Sequence, residues 1–355
     1  MLNIKEIKTV HIELTDKCQA QCPMCARNFH GGELRPFIKG GDISIEDFKK
    51  WFPVEFLSQL ENFYSCGNYG DPAFAKDCLE IYEYVRKSNP HTRLSLHTNG
   101  GMRNKDWWRK LAETIGTQAN SEVVFAVDGF KGKHELYRRN TNFDKVIENM
   151  CAFIAAGGIA KVDSLVFEHN EHETEELEKY LLDLGVQSVN FVRTTRFYEM
   201  KEFKVLDKKG NFEYNLKPAE REEYKMSPNY SLSRLLDQDY RNNAVRNSTI
   251  VPRCKNEKSV YVDPYGNLFP CCWIGGEYQE TPVKEELPIH QLRNITVKNS
   301  QEMLDVVGVP NCKDRIFHND CRLWKDLPDY WEGENKCLTC ARQCSTMMYD
   351  VGKYA

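Results

Sequence analysis

The first two hundred residues alternate between short β-branched or aromatic runs and helical patterns. Six runs have the composition of strands, and they span residues 10–14, 61–67, 92–99, 122–129, 161–169 and 187–193. Alternation of this kind predicts a parallel sheet, open or closed into a partial barrel. The active site of such a fold lies at the carboxyl ends of its strands.

Three segments between these runs have the spacing of helices with one buried face. Their apolar positions are Cys78, Leu79, Tyr82 and Val85 in 75–88, Val146, Ile147, Met150, Phe153 and Ile154 in 142–158, and Leu177, Leu181, Leu182 and Leu184 in 172–185. Cys78 and Cys151 fall on these helices, and we interpret both as core thiols.

A loop that follows the first strand carries three cysteines within eight residues. Cys18, Cys22 and Cys25 lie in TDKCQAQCPMCARN, with Pro23 between the second and the third. Such a run indicates a chelating loop. A structural zinc site and a ferredoxin-type cluster both take four protein ligands. No fourth cysteine lies nearby, so the run predicts a metal site with one open position.

Composition limits the setting of this chain. It has 355 residues, 14 cysteines and a formal net charge of -4, which argues against a nucleic-acid partner. No segment approaches the roughly 18 apolar residues of a membrane span, and the N-terminus lacks a signal-peptide pattern. We therefore expect a cytoplasmic protein without a membrane partner, whose clustered cysteines bind metal and do not form disulfides.

The segment ELTDKCQAQCPMC resembles the signature of the radical S-adenosylmethionine (SAM) superfamily. The resemblance implies a 4Fe-4S cluster on Cys18, Cys22 and Cys25, with SAM as the ligand of the fourth iron. It further implies a flavodoxin- or ferredoxin-type reductant. SAM would then be cleaved to methionine and a 5'-deoxyadenosyl radical that abstracts hydrogen from a substrate.

Two further motifs resemble those of this family. CGNYGDPAF resembles its GGEP motif, and HTNGG resembles its TNG turn. The resemblance implies that the SAM methionine end is held by Gly70, Asp71 and Pro72, with Asn99 nearby. Taken alone, the sequence Gly70-Asp71-Pro72 indicates an ordinary turn. Cys66 precedes this motif and is either a strand-core thiol or a hydrogen-atom donor to a substrate radical.

The fourth strand run continues as FAVDGFKGKHELYRRN, similar to the molybdenum-cofactor and peptide-modifying branch of the family. By this similarity, Asp128 matches the aspartate of the family motif. The similarity also implies that Arg138, or alternatively Arg139, binds the SAM carboxylate. Two positions depart from the pattern. Ala126 replaces a Ser near the ribose, and Met24 stands where an aromatic residue commonly flanks adenine.

A second group of cysteines lies toward the C-terminus. Residues 254 to 271 read C-x11-G-x4-C, and CLTCARQC follows at 337–344. Spacing alone also allows a zinc ribbon. The order of the motifs resembles a SPASM or twitch domain, which implies one, or possibly two, auxiliary 4Fe-4S clusters. The expected ligands are Cys254, Cys271, Cys337 and Cys340, with Cys344, Cys321 and Cys312 in reserve.

These observations predict an α/β fold, namely a partial (β/α)6 TIM-like barrel followed by a small cysteine-rich α+β domain. We expect the barrel over 1–195, a bridging segment with a hairpin at DKKGN over 196–250, and a SPASM- or twitch-like domain over 251–355. The bridging segment is either a connector or part of the substrate site.

Three functions remain open. The first is a radical SAM enzyme that crosslinks, epimerises or oxidises a peptide or protein. The second is a radical SAM dehydrogenase of a small polar metabolite, and the third is a non-enzymatic metal-stabilised binding or electron-transfer protein. The first barrel strand begins by about residue 10, which leaves no room for a leader-binding domain of about 50 residues. A peptide substrate would then need another means of recognition.

Overall fold

A computed structural model describes residues 4–194, 196–197, 200–225, 232–281, 288–307 and 327–345. The chain forms two compact units. The barrel unit is Ile12–Lys225, and the cysteine-rich unit is Met1–His11 together with Met226–Ala355. The division falls within the first strand, β1, Thr9–Ile12.

The barrel unit alternates strands and helices along the chain. Its strands after β1 are β2 Asn62–Ser65, β3 Arg93–Thr98, β4 Glu122–Ala126, β5 Ala160–Val166, β6 Ser188–Arg193, β7 Phe203–Leu206 and β8 Phe212–Leu216. Its α-helices are α1 Ile45–Trp51, α2 Val54–Leu57, α3 Cys78–Ser88, α4 Lys105–Ile115, α5 His134–Tyr137, α6 Phe143–Ala155 and α7 Thr174–Asp183. Strands β2 to β6 pair in that order, all in parallel. The predicted α/β partial barrel is therefore confirmed.

One face of this sheet packs against the helices. Phe125 of β4 contacts Trp108 of α4 and Phe153 of α6, with ring centroids 5.2 and 6.0 Å apart respectively. Side chains on successive strand residues point to opposite faces. Neighbouring residues of β4 and β5, such as Ala126 and Asp163, therefore lie on the other face, away from the helix core.

Of the four leucines predicted on the buried face of 172–185, two are buried, Leu184 is half-buried and one is exposed. Leu177 and Leu181 are buried, as their spacing predicts, whereas Leu182 is 44 % exposed. Leu182 follows Leu181 directly, and one residue turns a helix by about 100°, which carries this side chain to the solvent face. Cys78 is buried, as predicted, and Cys151 is only half-buried.

Strands β7 and β8 form the hairpin predicted at DKKGN. The carboxylate of Asp207 closes its turn by accepting hydrogen bonds from the backbone N–H groups of Lys209 and Asn211, both at 2.8 Å. The hairpin belongs to the barrel unit. Part of the predicted bridging segment is thus a component of that unit.

The cysteine-rich unit is mainly helical. Its helices are α8 Leu232–Leu236, α9 Gln238–Asn247, α10 Arg253–Asn256, α11 Cys272–Gln279, α12 Pro288–Val307, α13 Asp329–Glu332 and α14 Leu338–Cys344. Its antiparallel strands are β9 Ser259–Val262 and β10 Leu268–Phe269. Within the described ranges of the chain, no helix is both long and apolar enough to cross a membrane.

Candidate functional site

The cysteine loop, residues 13–44, connects β1 to α1. Hydrogen bonds to its own backbone carbonyls stabilise its conformation. Arg27 donates from Nη1 to the carbonyl of Cys18 at 3.2 Å, and Asn28 donates from Nδ2 to the carbonyl of Cys22 at 3.2 Å. The N–H of Cys25 donates to the carbonyl of Cys22 at 3.0 Å. The loop is thus fixed through its main chain, and its thiols remain available as ligands.

The three thiols of this loop lie in one electrostatic environment. The pKa of Cys18 is raised by burial and further by Asp71, Cys22 and Cys25. Burial raises the pKa of Cys22 to about 11, although the positive charge of Arg138 opposes that shift. Ionised thiols here need a positive partner, and soft thiolates are the ligands that iron-sulfur clusters prefer.

No three Cys, His, Asp or Glu side chains in the described ranges stand close enough together to hold a single metal ion. A four-iron cluster takes one thiolate at each iron, so its ligands stand farther apart than those of one ion. Three thiols on one loop, Cys18, Cys22 and Cys25, are the type of ligand that a 4Fe-4S cluster takes.

The loop after β2 packs tightly against the start of the cysteine loop. The buried carboxylate of Glu13 accepts hydrogen bonds from the N–H groups of Tyr69 at 2.7 Å and Gly70 at 2.8 Å. A Cβ atom at Gly70 would lie 1.8 Å from the carbonyl oxygen of Thr15. Only glycine allows this approach of two backbones.

Asp71 joins the ends of β2 and β3. Its carboxylate accepts hydrogen bonds from Ala73 N at 2.9 Å, Thr98 Oγ1 at 2.9 Å, Asn99 N at 2.7 Å and Asn99 Nδ2 at 2.5 Å. The residue is only 4 % exposed, and burial raises the pKa of its carboxyl despite these donors. Pro72 follows as the first residue of a short 3-10 helix. Asp71 is therefore already surrounded by protein donors.

Asn99 connects this carboxylate to the cysteine loop. Its Nδ2 lies 3.5 Å from the Sγ atom of Cys18, and its Oδ1 accepts a hydrogen bond from Gln19 Nε2 at 2.5 Å. The TNG turn thus places an amide donor against one of the three thiols. Neither Gln19 nor Glu13 was identified from the sequence. The sequence around a single polar residue does not indicate which distant residue it contacts.

The two consecutive arginines after α5 have different partners. Arg138 donates from Nε to Asp128 Oδ2 at 2.5 Å. Burial would lower the pKa of its guanidinium, but Asp128 and Cys22 outweigh burial and raise it. Arg139 donates to the carbonyls of Gly31 and Leu206 at 3.2 and 2.6 Å. Arg138 therefore lies beside Cys22, whereas Arg139 connects Gly31 of the cysteine loop to the hairpin.

Of three other residues noted in the sequence, Met24 lies within the cysteine loop, and Cys66 and Ala126 lie at the ends of strands. Met24 is buried, and its carbonyl accepts a hydrogen bond from Arg196 Nη1 at 2.9 Å. Cys66 directly follows β2 and is half-buried. Ala126 is the last residue of β4. The methyl side chain of Ala126 offers no hydrogen bond.

The second group of cysteines comes from three helices of the cysteine-rich unit. Cys254 lies in α10, Cys271 precedes α11, and Cys337 precedes α14, which contains Cys340 and Cys344. Cys312 and Cys321 lie outside the described residues.

These five thiols influence one another. Burial raises the pKa of Cys271, and the neighbouring thiols of Cys272, Cys254 and Cys344 raise it further. The thiol of Cys340 has a raised pKa through its contact with Cys337, its burial, and the charges of Cys271 and Cys254. The structure thus gathers all four expected ligands and Cys344 into one neighbourhood. Buried thiolates of this number suit an iron-sulfur cluster.

Comparisons with known proteins agree with this geometry. Residues 12–181 match the family model described as the Radical SAM superfamily. The chain is 25% identical over 223 residues to a "Probable GTP 3',8-cyclase" of Methanocaldococcus jannaschii, covering 61% of this chain and 66% of that protein. It is also 25% identical over 194 residues to the "7,8-dihydro-6-hydroxymethylpterin dimethyltransferase" of the same organism, covering 53% of this chain and 35% of that protein.

The chain therefore spans less than two thirds of the length of either relative. A solved structure of a tagged "anSMEcpe with bound AdoMet" shares the fold with a TM-score of 0.51 and 16% sequence identity, and the match covers 89% of each chain. Residues 12–181, just under half of this chain, are therefore similar to the radical SAM superfamily.

Proposed function

We propose that this protein is a radical SAM enzyme that abstracts hydrogen from a peptide or protein substrate. The observation that carries the proposal is the cysteine loop, on which Asn99 and Arg138 converge. When bound, a 4Fe-4S cluster on Cys18, Cys22 and Cys25 supplies the electron that cleaves SAM to methionine and a 5'-deoxyadenosyl radical. A flavodoxin- or ferredoxin-type reductant would deliver that electron.

Residues around the loop would bind the methionine end of SAM. Arg138 carries a positive charge beside Cys22, and its ion pair with Asp128 fixes the direction of its guanidinium. This charge would attract the SAM carboxylate. The backbone from Gly70 to Pro72 would receive the SAM amino group. Asp71 would contribute its negative charge there and orient Asn99.

The inner face of the barrel sheet would receive the substrate. Tyr64, His97, Asp163 and Asn190 share this face by strand register, and Asn190 Nδ2 donates to Asp163 Oδ1 at 3.1 Å. Burial lowers the pKa of His97, although Asp163 and Glu122 oppose that shift. Glu122 shares this face and pairs with Arg93 and Lys161. The face therefore offers polar donors and two carboxylates, which suits a polar substrate.

A dehydrogenase or related enzyme of a small polar metabolite is the second candidate. The names of the two curated relatives, a cyclase of GTP and a methyltransferase of a pterin, favour a small heterocyclic substrate. Deoxyadenosine formation above the substrate-free rate distinguishes the candidates. Stimulation by a short peptide encoded beside the gene supports the first, and stimulation by GTP or a pterin supports the second.

The second group of cysteines would hold an auxiliary cluster. Cys254, Cys271, Cys337 and Cys340 are its proposed ligands, with Cys344 as the reserve. Such a cluster would accept the electron left after hydrogen abstraction in an oxidative reaction. In a redox-neutral epimerisation, Cys66 would instead return a hydrogen atom to the substrate radical.

The decisive experiment is anaerobic iron and sulfide quantification combined with an assay for 5'-deoxyadenosine. We expect about eight irons in the wild type and about four in the Cys18/Cys22/Cys25→Ala triple variant. The triple variant should form no deoxyadenosine, whereas Cys151→Ala should match the wild type, because this half-buried thiol lies on α6. Zinc without SAM cleavage would contradict the proposal.

The consecutive arginines provide a matched test of SAM binding. Arg138→Lys loses the planar guanidinium at the cysteine loop and should weaken SAM binding about tenfold or more. Arg139→Lys keeps the charge and alters only the contacts to Gly31 and the hairpin, neither of which involves a cysteine thiol, so it should leave SAM affinity near the wild-type value. Equilibrium binding of SAM to the reconstituted proteins measures both. Equal losses would remove the specific role of Arg138.

A further inference from the structure

A buried carboxylate lies among the helices of the cysteine-rich unit. Glu277 of α11 is 1 % exposed. Its Oε2 accepts hydrogen bonds from Ser300 Oγ of α12 and Thr339 Oγ1 of α14, both at 2.6 Å. Burying a charge costs free energy unless hydrogen bonds stabilise it, and here two hydroxyl groups supply those hydrogen bonds.

The contacts of Glu277 connect two segments that carry cysteines. Helix α11 begins directly after Cys271. Thr339 lies between Cys337 and Cys340 at the start of α14. One carboxylate therefore holds α11 and α14 together beside two proposed ligands, Cys337 and Cys340.

A neutral contact fixes the same end of α14. The side-chain Oδ1 of Asn299, on α12, accepts a hydrogen bond from the N–H of Leu338 at 2.8 Å. Asn299 and Glu277 thus both position the first turn of α14. They differ in one respect, since only Glu277 brings a charge.

The charge of Glu277 is only partly compensated. Arg293 approaches Glu277 Oε1 at 3.4 Å, but its Nε and Nη2 atoms donate to Glu280 at 2.6 and 2.5 Å. Arg293 is therefore mainly the partner of Glu280. Because the carboxylate of Glu277 contacts Thr339, which lies between Cys337 and Cys340 in the sequence, its negative charge lies close to these two proposed ligands. In a buried environment of low dielectric constant, a nearby negative charge disfavours the addition of an electron.

We propose that Glu277 is a positioning residue of the second cysteine site, and that its charge lowers the reduction potential of the iron-sulfur cluster bound there. The inference rests on the proposed function, in which this site holds such a cluster. The potential of a cluster depends on its net charge and surroundings. Glu277 would thus set how readily the auxiliary cluster accepts an electron from the reaction.

The test uses the full chain with the Cys18/Cys22/Cys25→Ala changes, so that only the second cluster contributes a signal. Glu277→Gln keeps the size and hydrogen-bonding oxygen of the side chain and removes its charge. An EPR-monitored redox titration should show about a tenfold shift toward the reduced cluster, which is about 59 mV for one electron. Iron content should remain at the level of the parent.

Asn299→Ala is the matched control, because it removes a contact to the same helix turn without changing charge. It should leave the potential unchanged. Glu277→Ala removes both charge and hydrogen bonds, and it should also lower iron content. Full iron with an unshifted potential in Glu277→Gln would overturn the inference alone. Zinc at this site in the parent would overturn both the inference and the proposed auxiliary cluster.

Discussion

The two units each bury a carboxylate beside a group of cysteines, but they assemble the group differently. In the barrel unit, three cysteines lie within eight residues of one loop, and Asp71 reaches them through Asn99. In the cysteine-rich unit, the thiols come from α10, α11 and α14, and Glu277 joins two of these segments directly. The first group is placed by a short stretch of chain, whereas the second depends on helix packing.

This difference determines how each site should respond to damage. Asp71 has four protein donors, two of them backbone N–H groups that no substitution of a side chain removes. Glu277 has two hydroxyl donors and a weaker contact to Arg293 at 3.4 Å. The barrel site should therefore tolerate the loss of one side-chain donor better than the second site does.

The largest effect should come from Gly70→Ala, which tests whether the cysteine loop is independent of the rest of the barrel. The added methyl group meets the carbonyl of Thr15, so both loops must move. We expect a loss of about 3 kcal/mol in the free energy of unfolding and much weaker SAM binding. Urea denaturation and equilibrium SAM binding measure these losses.

Gly132→Ala is the control for Gly70, since its added methyl group would meet no atom within 4 Å. Its cost of about 1–2 kcal/mol arises only from its left-handed backbone. Wild-type stability and SAM affinity in Gly70→Ala would show that the two loops are not tightly packed.

Thr339→Val should have the next largest effect, because it removes one of the two hydroxyl donors of Glu277. An acceptor left short of partners in the interior costs about 2 kcal/mol. Urea denaturation and iron content of the second site are the measurements. Thr296→Val on α12 is the control, since it loses only a bond within its own helix, to the carbonyl of Arg293. Equal effects of the two changes would argue against a special role of Glu277.

Thr98→Val should cost less, about 1 kcal/mol, since Asp71 keeps the donors of Ala73 and Asn99. Thr92→Val is the control variant, because Thr92 lies at the opposite end of β3 from Thr98. The Thr92 hydroxyl is buried and has no hydrogen-bond partner in the part of the chain that the structure describes, so its loss should change stability by less than about 0.5 kcal/mol. A larger cost for Thr98→Val than for Thr339→Val would reverse the proposed contrast between the units.

The smallest effect concerns His134 in the barrel unit. Its Nδ1 accepts from Asp128 N at 3.2 Å, and burial lowers its pKa although Asp128 and Glu135 oppose the shift. A lowered folded-state pKa means that the stabilising contribution is present above about pH 6.5 and is lost as the pH falls through the folded-state value. Urea denaturation between pH 5 and 7.5 should show this loss in the wild type and a smaller one in His134→Gln. Identical pH profiles would exclude the histidine as the cause.

Sequence patterns identified the features that repeat or cluster along the chain. The alternation of strands and helices predicted the barrel, and the spacing of Cys18, Cys22 and Cys25 predicted the loop. Glu13 and Glu277 were not singled out, because each is an isolated acid whose partners lie far away in sequence. Leu182 was placed on the wrong face because its position, about 100° around α7 from Leu181, lies outside the buried face of that helix.

The opposite directions of Arg138 and Arg139 connect the hairpin to the cofactor site. Arg139 is bound to the carbonyl of Leu206 and paired with Glu213, so it holds the hairpin through both of its strands. Consecutive residues share a peptide unit, which is planar and stiff. A displacement of the hairpin that moves Arg139 therefore also shifts the adjoining backbone of Arg138. Any exchange of this hairpin in engineered chimeras should be made together with the Arg138–Arg139 segment.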